Sequence, residues 1–285
     1  MKITNHRFDH HWFAPSKDVG GTLDDLRFIV MHYTAGGEGT ATRDYMLKSP
    51  QEKGGNTGKL VYASAHLLID RDGAIWQIVP FDKKARHAGE SQWKGLTSLN
   101  QYSIGIEIAN YGWLDRQGDG SFKRPETSRF KAKDVTIGRM PGGTEEKGWE
   151  NYTAEQLASV EAATLALLDH YPAIREIVGH QEIAPGRKFD PGPAFPLQRF
   201  KNLVLGRGDD ALDGPDGPAP ERFEATASLN IRGGPGIEFA PLEVSPLKIG
   251  TKVVKLDEQG DWYFVSLAKA RAQKGWVNRR YLSLL

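Results

Sequence analysis

Cysteine is missing from all 285 residues. That excludes disulfides, thiolate ligands and a cysteine nucleophile, so any metal site has to be built from histidine and carboxylate. It leaves the compartment open, because a cysteine-free chain is at home in cytosol, periplasm or medium. Long apolar runs are missing too, and no stretch approaches the roughly 18–20 residues of a membrane span. The first ten residues lack an apolar h-region and a small-residue cleavage site, so no signal peptide is visible. Charge excess is absent as well: 37 Lys+Arg against 36 Asp+Glu leave a net charge of +1. A global polyanion-binding role is thereby disfavoured, and no nucleic-acid partner is expected. What is present is ordinary globular material, 39% hydrophobic and 10% aromatic, in a chain long enough for two domains. Gly 32 and Pro 16 announce many turns.

The stretch that organises the chain is 179–193. It sets His180, Lys188 and Asp190 a few residues apart, among Pro185, Gly186, Pro191, Gly192 and Pro193, which break any regular helix or strand. Ile177, Val178 and Gly179 read as the end of a buried strand. His180 then sits at a strand end, and the chain loops back to bring Asp190 near it. A His and an Asp converging in this way can be two ligands of a zinc ion.

Earlier in the chain, residues 1–26 are polar and irregular, and His6, His10 and His11 read as a solvated arm or a small metal cluster. The run 27–31 is a buried strand ending in His32, and ligands in open α/β sheets gather at such ends. A short helix is expected over 42–47 and a Gly-rich loop over 50–59. Residues 62–79 read as a hairpin turning at Asp70-Arg71-Asp72-Gly73, with His66 inside its first strand as a core histidine or a ligand. His87 follows in a loop, against substrate or bracing the loop. In the strand 103–110, alternation puts Ile104, Ile106 and Ile108 on one face and Ser103, Gly105, Glu107 and Ala109 on the other. Glu107 is the lone charge there, and it requires a partner, a metal or a wet cavity unless it lies on an edge strand.

Residues 111–150 show little periodicity and read as a long functional loop. Thr153 to Gln156 is a capping box. Leu157, Val160, Thr164, Leu167, Leu168 and Tyr171 then mark one face of a helix stopped by Pro172. A short helix is expected over 195–205, and 206–222 is a Pro/Gly/Asp linker. From Phe223 onward, strands at 225–231, 252–257, 262–267 and 275–278 suggest a small β-barrel. This part is mildly basic, with nine Lys/Arg against six Asp/Glu.

Residues 27–205 resemble the zinc-dependent N-acetylmuramoyl-L-alanine amidases (amidase type 2), in the branch of the anhydro-muropeptide amidases. The likeness rests on five ordered motifs: the His32 strand end, 64–73 around His66, His87-Ala88-Gly89, 103–107 ending in Glu107, and 179–193. It implies a mixed central β-sheet flanked by helices, the fold shared with peptidoglycan-recognition proteins. It also implies zinc held by His32, His180 and Asp190, Glu107 as general base and acid, and Lys188 as oxyanion stabiliser. Arg71, Arg86 and His87 are the expected substrate contacts. Ala65 stands where lysozyme-type relatives often have tyrosine, Asp190 where many have a cysteine ligand, and Arg86 where this branch often has an aromatic.

Residues 223–285 resemble a bacterial SH3 domain through 229–236, 260–263 and 275–282. Such modules usually target the cell wall.

The expected organisation is therefore a catalytic domain over 1–205, the linker, and a wall-targeting domain over 223–285. The expected activity is hydrolysis of the amide between N-acetylmuramic acid and L-alanine, with peptidoglycan or muropeptides as partner. A binding-only protein of the same fold and a zinc peptidase are the alternatives. The expected place of action is extracytoplasmic, after lysis or dedicated secretion, as a phage lysin or antibacterial effector. Cytoplasmic recycling is the other setting. An effector would travel with a cognate immunity protein.

Overall fold

Apolar alternation builds the centre of the first unit. In the computed structural model, which describes residues 1–13, 15–16, 19–48, 51–52, 60–61, 63–125, 127, 129–205, 221–267 and 270–285, six strands form one mixed sheet. They are β1 (Trp12–Phe13), β2 (Phe28–Tyr33), β3 (Leu67–Ile69), β4 (Ile75–Gln77), β5 (Ser103–Ile108) and β6 (Glu176–Gly179). Their order is β6-β2-β5-β3-β4-β1. β6, β2, β5 and β3 run parallel, whereas β3 and β4 form the antiparallel hairpin expected from the Asp70–Gly73 turn.

The two faces of this sheet separate core from site. Ile29, Met31, Ile104, Ile106, Ile108 and Ile177 join Val160, Ala163 and Leu167 of helix α2 (Ala154–His170) and Phe200 and Val204 of helix α4 (Leu197–Leu205) in one core cluster. Phe28, Val30 and Val178 pack on the other face with Ala88, Leu99 and Ile183. The capping box of α2 forms as expected: the Thr153 hydroxyl accepts from the Gln156 amide at 3.0 Å, and the Gln156 side chain accepts from the Thr153 amide at 3.1 Å.

Several sequence expectations change. The N-terminal arm is not merely solvated: Ile3–Thr4 pairs with Arg7–Phe8, and β1 extends the central sheet beside β4. His6 shares a hydrogen bond with the Tyr171 hydroxyl at 2.8 Å, and Phe8 is buried. Helix α1 starts earlier than expected, at Gly39, and runs to Leu47. Residues 111–150 are not a loop. Trp113–Arg116, Phe122–Lys123, Val135–Arg139 and Glu146–Glu150 make a four-stranded antiparallel sheet. His180–Ile183 is one helical turn, α3, ahead of Pro185. Of the Gly-rich loop 50–59 and the linker 206–222, residues 50, 53–59 and 206–220 lie outside the described residues.

The chain forms two compact units, 1–206 and 207–285. The second unit holds a five-stranded antiparallel sheet. Its strands lie in the order Ala270–Asn278, Trp262–Leu267, Lys252–Gln259, Arg222–Ala225, Leu282–Leu284. The first strand lies at 222–225 rather than 225–231. Phe223, Ile231, Val253, Val265 and Val277 fill its core.

Candidate active site

Strand register delivers the site. In the parallel pair β5–β2, Glu107 stands opposite His32, and in β6–β2 Gly179 stands opposite Met31. His180, the residue after Gly179, therefore emerges beside His32, and Glu107 lies on its other flank. β5 lies between β2 and β3, so Glu107 is on a central strand rather than an edge. Its small-residue face has a purpose: a Cβ at Gly105 would sit 2.4 Å from the His87 ring.

Asp190 returns from the loop that begins at His180. The Gln181 amide donates to the Asp190 carbonyl at 2.8 Å, and the Gly192 amide donates to the Gln181 side chain at 3.1 Å. His32 Nδ1, His180 Nδ1 and Asp190 Oδ2 form a triangle with sides of 2.9, 2.9 and 3.0 Å, and all three residues are buried. His180 Nε2 donates to the Ala88 carbonyl at 3.0 Å, which leaves Nδ1 as the lone-pair nitrogen. Two imidazoles and a carboxylate converging from buried positions fit a divalent metal of zinc's ligand preference.

Electrostatics agree with that donor set. Burial, aided by the neighbouring His180, lowers the His32 pKa to about 4, so the ring is neutral at pH 7. Burial works to raise the Asp190 carboxyl, but the His180 and His32 rings against it outweigh that and hold the group well below its ordinary range. Glu107 behaves in the opposite way. Burial pushes its carboxyl well up, the Asp190 charge adds to this, and Lys188 opposes it. Among the described residues, Glu107 Oε2 is buried with no hydrogen-bond partner. An acceptor of this kind calls for a polar occupant of the adjoining space.

That space is a cavity of about 470 Å³. His32, His180, Asp190, Glu107 and Lys188 all line it, as do Arg86 and His87. Arg86 is exposed at its wall. His87 is buried, and its Nδ1 lies 3.0 Å from His32 Nε2, so it contacts a ring of the triangle itself. Arg71 is not among the lining residues. Its guanidinium donates to the Asn151 carbonyl and the Gln156 side chain and lies 3.3 Å from Glu150, so it braces the start of α2 instead. His66 is a core histidine, accepting from the Gly105 amide at 3.0 Å and donating to the Lys83 carbonyl at 2.8 Å. Tyr33, Arg187 and Phe189 also line the cavity. Sequence reasoning passed over them, although each is a chain neighbour of His32 or Lys188.

Comparison with known proteins shows the family. The family model for N-acetylmuramoyl-L-alanine amidase matches residues 22–193, more than half of the chain, and the chain belongs to that family. The 1,6-anhydro-N-acetylmuramyl-L-alanine amidase AmpD of Escherichia coli is 41% identical over 142 residues, 50% of this chain and 58% of that protein. The N-acetylmuramoyl-L-alanine amidase AmiD of the same organism is 30% identical over 186 residues, 65% of this chain and 56% of that protein. The chain thus spans less than two thirds of the length of the curated relatives it matches. A solved complex of E. coli AmiD with the substrate anhydro-N-acetylmuramic acid-L-Ala-D-gamma-Glu-L-Lys has 28% identity and a TM-score of 0.42, covering 61% of this chain and 56% of that one.

Proposed function

We propose that this chain is a zinc-dependent hydrolase that cleaves the amide between N-acetylmuramic acid and the first L-alanine of the peptidoglycan stem. The observation that carries the reading is the row His180, His32, Glu107 at three adjacent strand ends, with Asp190 closing the donor triangle and Glu107 Oε2 left without a partner. His32, His180 and Asp190 would hold the ion. Zinc, when bound, supplies Lewis-acid polarisation of the amide carbonyl and acidifies water. Glu107 takes a proton from the attacking water and returns it to the departing amine of L-alanine, and its raised pKa suits both steps. Lys188 holds a positive charge towards the developing oxyanion. Arg86 offers a cation at the cavity wall for substrate carboxylates.

The test is digestion of intact sacculi alongside soluble anhydro-muropeptides, with products identified by mass. New amino termini on L-alanine, lost with chelator and restored by zinc, are expected. No release from either substrate, or cuts between peptide residues, would overturn the reading. Glu107→Gln should retain zinc and lose about 10²–10⁴ in turnover, and full activity in that variant would remove the proposed base.

The C-terminal unit is read as an SH3-like wall-targeting module. Its support is the Leu229–Gly236 segment, in which Ile231 is buried and the Arg232 backbone exchanges hydrogen bonds with Trp276 at 2.8 Å each. A module of this kind fits action on the extracytoplasmic polymer. A chain ending at residue 205 should no longer sediment with sacculi yet still turn over soluble muropeptides. Unchanged sedimentation would sink the targeting role.

A further inference from the structure

We propose that the dipeptide His87-Ala88, pinned by Asn100 and backed by Ser103, fixes the proton positions of both metal-binding imidazoles, so that each presents Nδ1 as a lone pair. The proposal rests on the zinc reading of His32, His180 and Asp190. It concerns the groups behind the donors rather than the donors themselves.

The His180 half follows from one contact. Ala88 contributes a carbonyl, which can only accept, so the proton at 3.0 Å belongs to His180 Nε2. The His32 half needs a chain of three links. The Ser103 hydroxyl has one proton, and two neighbours compete for it. The Leu99 carbonyl lies at 2.6 Å and His87 Nε2 at 3.4 Å, so the proton goes to the carbonyl. Ser103 Oγ then accepts from His87, which places the His87 proton on Nε2 and leaves its Nδ1 an acceptor. His87 Nδ1 lies 3.0 Å from His32 Nε2, so that nitrogen must carry the proton. His32 Nδ1 is left bare, facing His180 Nδ1 and Asp190 Oδ2.

Ser103, His87 and His32 are 0%, 8% and 1% exposed, so these links are made by protein groups packed on one another. The frame is fixed as well. Asn100 Oδ1 accepts from the His87 and Ala88 amides at 3.1 and 2.8 Å, holding the side chain that orients one ligand and the carbonyl that orients the other. Gly105 clears the seat, since a Cβ there would overlap the His87 ring at 2.4–2.7 Å. Partners behind a metal ligand set its tautomer and ring orientation, and losing one typically costs about 10–100-fold in affinity. His87 is a positioning residue on this account: it acts through His32.

Two measurements on the full chain decide it. Long-range proton–nitrogen correlation on metal-free protein with labelled histidine reads the tautomers directly, at one pH where the rings are neutral. Nε2–H forms of His32, His87 and His180 are expected. A dominant Nδ1–H form of His32 would overturn the proposal whether or not zinc ever binds. Zinc affinity is then measured by competition with a chromophoric chelator. His87→Ala should bind about 10–100-fold more weakly. His87→Asn, whose side-chain oxygen can stand near the lost Nδ1, should recover most of the loss, and Ser103→Ala should lie between wild type and His87→Ala. The visible spectrum of the cobalt-loaded proteins should change in the same order. Wild-type affinity and spectrum in His87→Ala would overturn the proposal while leaving the zinc reading intact. If His87→Ala fails to fold, Ser103→Ala and the wild-type tautomers still decide it. Absence of zinc binding in the wild type would instead sink the zinc reading, and the tautomers would still be read.

Discussion

Glu107 and Lys188 share the cavity wall, and each alters what the other can do. Burial holds the Glu107 carboxyl high, and Lys188 is the charge that brings it partly back down. Replacing Lys188 with methionine should therefore act twice. Loss of the positive charge should lower kcat by about 10²–10³, the scale of removing one oxyanion donor. It should also let the Glu107 pKa rise further. A general base works only when deprotonated, so the acid limb of the kcat profile should move to higher pH. A reduced kcat with an unmoved limb would separate Lys188 from Glu107. At this scale the placement of the residues was legible in the sequence: a histidine closing an apolar run and a lone carboxylate among small residues are local signals. Arg71 was not legible. It stands in a turn beside a motif strand, but its partners are Glu150, Asn151 and Gln156, brought to it by α2 and the inserted sheet. No local pattern announces such a contact.

The elements show the same division between local and distant signals. β5 could be read because six residues alternate cleanly against one core face, and α2 because its cap and its stripe agree. The inserted sheet between β5 and α2 could not. Its strands have two to five residues, and Gly138 and Gly148 interrupt the pattern, the first where Pro193 presses in and the second under the sheet's own Phe122 and Val135. A Cβ at Gly138 would meet Pro193 at 2.5 Å. Trp149, 1% exposed, lies against Gly192 and donates to the Gly138 carbonyl at 3.0 Å. Gly192 has φ +72°, and a Cβ there would sit 2.5 Å from the Trp149 ring. The insertion is thus the floor under the 190–193 loop, which carries Asp190. Trp149→Ala should cost about 3–5 kcal/mol, as large-to-small changes of buried tryptophan do. It should weaken zinc binding as well, because Asp190 loses its seat. Thermal unfolding and chelator competition measure the two effects. A destabilised protein with wild-type zinc affinity would show that the floor supports the fold but not the ligand.

Across the whole molecule, histidine is distributed unequally. All eight histidines precede residue 207, and the second unit has none. The protein therefore carries its own control for a pH experiment. His66 is fully buried, and burial lowers its pKa to about 4 against an ordinary value near 6.5, even though the Lys83 carbonyl pulls the other way. The unfolded chain takes up this proton as pH falls through about 6.5, whereas the folded chain refuses it until about 4. Unfolding thus binds a proton in that window. The stability contribution is full above pH 6.5 and declines by up to about 1.4 kcal/mol per pH unit, reaching about 3 kcal/mol near pH 4. His66→Gln removes the titration and should flatten the decline of the first unit by that amount. The second unit, with only its carboxylates to titrate in this range, should give the same curve in both proteins. Urea unfolding followed by hydrogen-exchange mass spectrometry, at peptides covering 100–110 in one unit and 262–267 in the other, resolves the two. Parallel pH curves for wild type and His66→Gln at 100–110 would mean that the folded protein admits the proton. His66 would then not be the neutral link between the β3–β4 hairpin and β5 that its hydrogen bonds describe.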